Sequence, residues 1–312
     1  MNNWEQILEK AILIREFEKV IQKLYLSDCI QSPVHLSIGQ ELTAVLMSKF
    51  YLKGDHIVGN YRSHALALSL ADEFQSIVLE LLAKRQGVSG GKAGSMHLSV
   101  PGKNMMWTSA IVGTGVPIAT GIAEALKRES QENLVAVMFG DGAIEEGCVL
   151  ESLNLGSVFK LPIVFILEDN GLAIHTKKNV RSSLTSYLDL AKTFNIKTFS
   201  GTFKNPNNLY SSFKEAYKYV RETRLPVFIY VKCSRWVEHV GIGEDWELGY
   251  RSKSDLEDWR SVDIIENPEI ISLSKNFVRQ KSKYYSSFFL DMFESCIKFE
   301  DPKKIDLLTN VT

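Results

Sequence analysis

The sequence predicts an α/β fold: a doubly wound, mostly parallel sheet with helices on both faces. Two apolar runs carry that reading, residues 134–139 (LVAVMF) and 162–167 (PIVFIL). Each is short, continuous and ends in a polar cluster, as buried strands of a parallel sheet do. Residues 151–160 between them are long enough for the crossover helix. Downstream, helical patterns at 184–194 and 208–221 alternate with strand-like runs at 196–199 and 227–233. That alternation is the mark of a parallel sheet covered on both sides.

The other elements follow from spacing. Residues 4–26 carry Trp4, Ile7, Leu8, Ala11, Ile14, Phe17, Ile21 and Leu24 at helical intervals. Pro33 and Gly39 bracket a turn, and 40–50 reads as a second helix. A short strand is expected at 56–59, with helices at 63–70 and 74–84. Residues 86–106 are glycine-rich around Gly90-Gly91 and lack periodicity, so they read as a long functional loop. Residues 111–127 are rich in Gly, Ala and Thr, which suits a helix packed tightly on the sheet or at a subunit contact. Past Trp259 the pattern weakens. Helices are expected within 270–297, then a polar, loosely held tail over 298–312. This divides the chain into an α/β domain over 1–265 and a helical C-terminal extension over 266–312.

Composition narrows the classes. A chain of 312 residues buries about 75% of its unfolded surface. The net charge of −1 offers no electrostatic reason to bind nucleic acid or an anionic membrane. The cysteines, Cys29, Cys148, Cys233 and Cys296, form no CxxC pair, so neither a zinc site nor a disulfide framework is indicated. The first residues lack an apolar signal core, and no apolar run reaches membrane-spanning length. A cytoplasmic location is the expectation.

Chemistry concentrates where the two strands end. Gly140-Asp141-Gly142 follows the first run and Glu168-Asp169-Asn170-Gly171 the second, with Asn170 29 positions after Asp141. A Gly-Asp-Gly on its own commonly just ends a strand in a turn. Two such clusters, one βαβ crossover apart, share the carboxyl edge of a sheet, where open α/β folds bind ligands. A carboxylate, an amide oxygen and a backbone carbonyl are hard donors suited to a Mg²⁺ that also holds a diphosphate. Glycines beside the aspartate let backbone N–H groups approach phosphate oxygens.

Further segments add to this pair: Val34-His35-Leu36-Ser37-Ile38-Gly39-Gln40-Glu41, Asn60-Tyr61-Arg62-Ser63-His64, Gly91-Lys92-Ala93-Gly94-Ser95-Met96-His97-Leu98 and Ala110-Ile111-Val112-Gly113. In this order and spacing, over roughly 5–265, the chain resembles the α subunits of thiamine diphosphate-dependent 2-oxo acid dehydrogenases, the E1α family that includes acetoin dehydrogenase α chains. The resemblance implies the diphosphate-binding half of a thiamine diphosphate fold. It also implies Mg²⁺ ligation by Asp141, Asn170 and the Leu172 carbonyl. Gly140, Gly142 and Ala143 would then meet the diphosphate, Tyr61 and Arg62 would contact the cofactor, and Ala110 and Val112 would border its aminopyrimidine. His35 and His239 match active-site histidines, with His239 on a loop that covers the cofactor and acts as imidazolium or in acyl transfer. The sequence departs from the family at Asp169, where Asn is usual, and at Leu172, where Tyr is usual. It also has Val240 where some eukaryotic relatives carry an inhibitory phosphoserine.

The remaining histidines divide. His64 and His175 either face substrate or are structural, His97 reads as structural, and His56 carries no functional signal. Glu145-Glu146 is explained by the helix start that follows it. Residues 250–263 are either a solvated charged face or an inter-subunit segment. The family draws the glutamate that activates the cofactor from a β subunit, so the resemblance implies an α₂β₂ heterotetramer and a lipoyl-bearing acyltransferase as partners. The reaction would decarboxylate a 2-oxo acid, or cleave acetoin, and pass the acyl group on. The alternatives are a split transketolase-like subunit acting on an aldehyde or sugar, and a non-catalytic scaffold.

Overall fold

A computed structural model describes residues 3–306. The elements in chain order are α1 (Asn3–Tyr25), α2 (Glu41–Phe50), β1 (His56–Val58), α3 (His64–Leu70), α4 (Gln75–Leu81), β2 (Met105–Trp107), α5 (Gly115–Arg128) and β3 (Val135–Gly140). Then come α6 (Gly147–Val158), β4 (Ile163–Asp169), β5 (Leu172–Ala173), β6 (Thr176–Lys177), α7 (Lys178–Arg181), α8 (Tyr187–Thr193), β7 (Lys197–Thr202), α9 (Pro206–Thr223), β8 (Val227–Lys232), α10 (Lys253–Arg260) and α11 (Lys275–Cys296). The main sheet runs β2-β1-β3-β4-β8-β7, and every pairing in it is parallel. The predicted doubly wound sheet is what forms.

Alternation along the strands builds two cores. Ala136, Met138, Val164, Ile166, Ile229 and Val231 belong to a core shared with α1, α2, α9 and α11. Val135, Val137, Phe139, Ile163, Phe165 and Leu167 face α5, α6 and α8. A strand covered on both faces is apolar at successive positions, which is why these runs read as continuous. The chain leaves β1 for β2 on one side and then crosses to β3 on the other. The order therefore reverses between β1 and β3, and a crevice opens at the carboxyl ends of these strands.

The departures from expectation have local causes. Helix α5 starts at Gly115 rather than near Ile111, because Gly113 sits at φ +81°, outside helical space. The glycine-rich loop holds a short edge strand, β2, that three residues of pattern could not announce. Residues 250–263 turn inward in part: Arg251 hydrogen-bonds the Val237 carbonyl at 3.0 Å and pairs with buried Asp245. The described part of the tail is tied down, through Arg85 N–H to the Glu300 carbonyl at 2.9 Å and Lys84 to Asp301 at 2.7 Å. Residues 307–312 lie outside the described residues.

Helix α11 closes the first core. The Phe289 ring meets Phe17 of α1 edge-on at 5.0 Å and Phe74 at 5.5 Å, and Phe289 is fully buried. Phe289→Ala should therefore cost roughly 3–5 kcal/mol of unfolding free energy. Urea denaturation measures this, and a loss below about 1 kcal/mol would mean α11 is peripheral to the fold.

Candidate functional site

The β3–β4 register sets the site. Gly140 lies opposite Glu168, so Asp141 and Asp169-Asn170 leave the sheet side by side. Asp141 and Asn170 border a cavity of about 400 Å³ in the crevice between β1 and β3. Among the expected site residues, His35, Tyr61, Ala110, Val112, Gly140, Asp141, Gly142, Ala143, Asn170, Leu172 and His239 all line it. The Cβ direction of Gly140 meets no atom within 4 Å, so backbone is presented to an open cradle. Gly142 is required by packing instead: a Cβ there would lie 2.9 Å from the Ala173 methyl. Beyond Gly142 the chain turns through residues 143–145 into α6, bringing a helix start beside the cavity.

Asp141 is 1% exposed. Burial, reinforced by repulsion from Asp169, pushes its carboxyl up to about 6, against the pull of Arg181. Arg181, which the sequence reading passed over, donates to the Asp141 carboxylate, to its carbonyl at 2.7 Å and to Glu145 at 2.6 Å. The only advance sign was a basic cluster, Lys177, Lys178 and Arg181, a few residues past the second polar cluster.

Asp169 has a physical account. It takes the Tyr230 hydroxyl at 2.6 Å, the Gly171 N–H at 2.7 Å and the ammonium of Lys232 at 3.0 Å. Lys232 is its register partner across β4–β8. A carboxylate therefore fits where an amide is usual. At Leu172 the Asn170 side chain accepts the backbone N–H at 3.1 Å, while the Leu172 side chain is half-buried at the cavity.

Arg62 lies beneath the cavity rather than on its lining. It is 5% exposed, and its guanidinium donates to the Leu36 carbonyl at 2.5 Å and the His239 carbonyl at 3.4 Å. Among the described residues no carboxylate comes within ion-pairing distance of it. Above it, His35 stands 4.6 Å from Tyr61 and 5.0 Å from His239, ring centre to ring centre. Burial and the nearby Arg62 cation push both imidazoles down to about 3. Both rings therefore favour the neutral form.

The His239 loop is sewn down. Trp236 N–H donates to the Ile38 carbonyl at 3.1 Å and Gly241 N–H to the Val34 carbonyl at 2.8 Å. Glu238 closes the turn, its carboxylate accepting Gly243 N–H at 2.7 Å and its own N–H donating to the Gly243 carbonyl at 3.0 Å. Behind it, buried Arg235 pairs with Asp245 at 3.0 Å.

Of the other histidines, His64 is buried while His97 and His175 are exposed. His64 is fully buried between Glu18 and Ser95, 2.8 Å from each, so both ring nitrogens are satisfied and it is structural. His97 reaches the Thr108 carbonyl at 3.2 Å, and His175 packs 4.6 Å from the Tyr250 ring.

A family model for the dehydrogenase E1 component matches residues 9–282. The chain belongs to that family. It is 30% identical over 306 residues to the pyruvate dehydrogenase E1 component subunit alpha of Rickettsia bellii, covering 96% of this chain and 93% of the relative. The same subunit of Rhizobium meliloti is 31% identical over 252 residues, covering 81% of this chain and 72% of the relative. The alpha subunit of acetoin:2,6-dichlorophenolindophenol oxidoreductase of Bacillus subtilis is 28% identical over 312 residues, covering 97% and 91%. Membership of the E1 family implies thiamine diphosphate as the cofactor. These relatives are alpha subunits of dehydrogenase or oxidoreductase enzymes by name, and the chain is an E1α-type oxidoreductase subunit.

The neutral histidines give a signed pH dependence. With a folded value of about 3 against about 6.5 unfolded, His35 binds fewer protons folded than unfolded throughout that window. Stability should fall on acidification below pH 6.5, with His35 contributing on the order of 1 kcal/mol per pH unit. Urea unfolding at pH 7 and pH 5 should show a shallower loss in His35→Gln; an equal slope would refute the neutral assignment. Glu238→Ala should release the loop. Hydrogen exchange of residues 236–243 should then quicken by roughly tenfold, as expected for losing a charge-assisted bond, and an unchanged rate would count against the latch.

Proposed function

We propose that this chain is the α subunit of an E1 enzyme that decarboxylates a 2-oxo acid, or cleaves acetoin, and passes the acyl group to a lipoyl carrier. The observation that carries the reading is the donor set at the cavity: Asp141 and Asn170 side by side at the ends of β3 and β4, below the open Gly140 cradle. Arg62 supports it. A buried guanidinium without a carboxylate is costly unless an anion completes the site. A diphosphate is such an anion, and a Mg²⁺ held by Asp141, Asn170 and the Leu172 carbonyl would bridge it to the sheet edge.

When bound, thiamine diphosphate supplies the electron sink for decarboxylation. The chain's own residues bind and orient. Gly140, Gly142 and Ala143 bring backbone to the diphosphate, and Ala110 and Val112 form one wall of the cavity. Tyr61, His35 and His239 cover Arg62, and the two neutral imidazoles can accept or donate a proton at the cavity. Arg181 pairs with both Asp141 and Glu145, so its cation would compete with a metal ion for the Asp141 carboxylate.

The rim of the cavity supports a β subunit. Ile111 is 66% exposed and Ile174 55%, with Val112, Val240, Met106 and Trp107 also exposed. Ile111, Val112 and Ile174 border the opening itself, and apolar groups at the mouth of a site call for a covering partner. We take that partner to be the β chain of an α₂β₂ heterotetramer, which also offers its surface to a lipoyl-bearing acyltransferase. Among the described residues no helix is long and apolar enough to cross a membrane, and the four cysteines are free. Both facts are compatible with a reducing cytoplasm. No feature favours the split transketolase-like subunit or the non-catalytic scaffold.

The chain should be co-purified with its native β partner and given pyruvate, branched 2-oxo acids and acetoin with an artificial electron acceptor. Reduction with one of these is expected. Reduction with none, together with ketol transfer to an aldehyde, would overturn the reading. In the same complex, Asp141→Ala should weaken Mg²⁺-dependent thiamine diphosphate binding by roughly 100-fold or more, since even outer-shell changes cost about 10–100-fold. Because Asp141 must be ionised to bind a cation, wild-type affinity should also drop as the pH falls through about 6. Calorimetry measures both.

A further inference from the structure

The hydrogen bonds behind Asn170 run in one direction. Asn170 Nδ2 donates to Gln40 Oε1 at 3.2 Å, and Gln40 Nε2 donates to Glu168 Oε2 at 2.7 Å. Glu168 Oε2 accepts the Gln40 amide hydrogen, so Glu168 is the accepting end of the chain. Gln40 must turn its NH₂ to Glu168 and hence its oxygen to Asn170. Asn170 must then turn its NH₂ to Gln40, which leaves Oδ1 on the other side. That oxygen accepts the Leu172 N–H at 3.1 Å and keeps a second lone pair. Asn170 lines the same cavity as Asp141.

The two ends of a side-chain amide have nearly the same shape, so its neighbours decide which end faces a ligand. The choice matters at a cation, where one end is a ligand and the other repels. Gln40 and Glu168 are each 4% exposed, so water does not compete for this relay. Gln40 sits at the turn into α2, far from Asn170 in sequence, and has no other evident reason to face the end of β4.

We propose that Gln40 and Glu168 are positioning residues that hold the Asn170 amide with its oxygen toward the divalent cation. The proposal rests on reading Asp141 and Asn170 as cation ligands. It explains why a glutamine stands at this turn and why a carboxylate ends β4 inside the core. The Leu172 N–H holds the same orientation from the other side, because it too needs the Asn170 oxygen.

The test is Mn²⁺ binding to the full chain, co-purified with its β partner in the presence of thiamine diphosphate, read by the electron paramagnetic resonance of free Mn²⁺. Asp141→Ala examines the underlying reading, and no change there overturns both ideas. Given that loss, Gln40→Met and Glu168→Met, which remove the relay's amide and its acceptor, should each weaken Mn²⁺ by roughly tenfold, as outer-shell partners do. In an Asn170→Asp background, where both ends of the side chain are oxygen, each should matter by less than about twofold. The double variant Gln40→Glu with Glu168→Gln swaps the donor and acceptor behind Asn170 but keeps an acceptor facing its NH₂. It should return to within about threefold of wild type, which a merely structural role would not produce. Unchanged affinity in the single variants, equal losses in both backgrounds, or no rescue in the swap would overturn the relay while leaving the cation site standing.

Discussion

The pairing of β3 with β4 is the constraint on which the site depends. Parallel register from Val135↔Ile163 to Gly140↔Glu168 means that Asp141 and Asn170 leave the sheet at the same height. A one-residue slip would exchange the two faces of each strand and pull the donors apart. The register is held by full burial on both sides, because every residue of β4 is buried and its side chains divide between two cores. Rigidity at the sheet edge is thus a by-product of core packing. The irregular elements, the β5–β6 hairpin and the His239 loop, are then fastened by individual hydrogen bonds.

Charge at the site is arranged against solvation. Asp141, Asp169, Glu168 and Arg62 are all buried within a few residues of the strand ends. Some are compensated locally, Asp169 by Lys232 and Tyr230 and Asp141 by Arg181. Arg62 is not, and Glu168 remains pushed up to about 7 by burial despite Gln40, Thr43 and Arg62. Such groups reduce the stability of the isolated chain. Their retention at one sheet edge makes sense when ligands of both signs bind there together.

Much of this was legible in the sequence. The β3–α6–β4 unit could be read from two apolar runs, since burial on both faces leaves no polar interruption. The residues that line the cavity could be read because small and acidic residues recur at fixed spacing at the strand ends. What the sequence hid was long-range partnership. Nothing local to Gln40 says that it meets Asn170, 130 positions away, and nothing local to Arg181 says that it closes on Asp141. Two-residue strands such as β5 and β6 were invisible because they have no period to detect. The neutrality of His35 and His239 was hidden for a related reason, since it depends on Arg62 lying beneath them.

That last relation also explains how one arrangement serves two states. With Arg62 lacking an anion, its charge and the burial of the rings disfavour a second and third positive charge, so the imidazoles stay neutral. An anion placed against the guanidinium would cancel the repulsion and favour protonation of a ring in contact with it, raising rather than lowering its proton affinity. Burial opposes that change for His35, which is 6% exposed, more than for the half-buried His239. The two histidines are therefore unequal by position. His239, on a loop held by Glu238, is the less enclosed ring, while His35 has its Nδ1 buried and unpartnered.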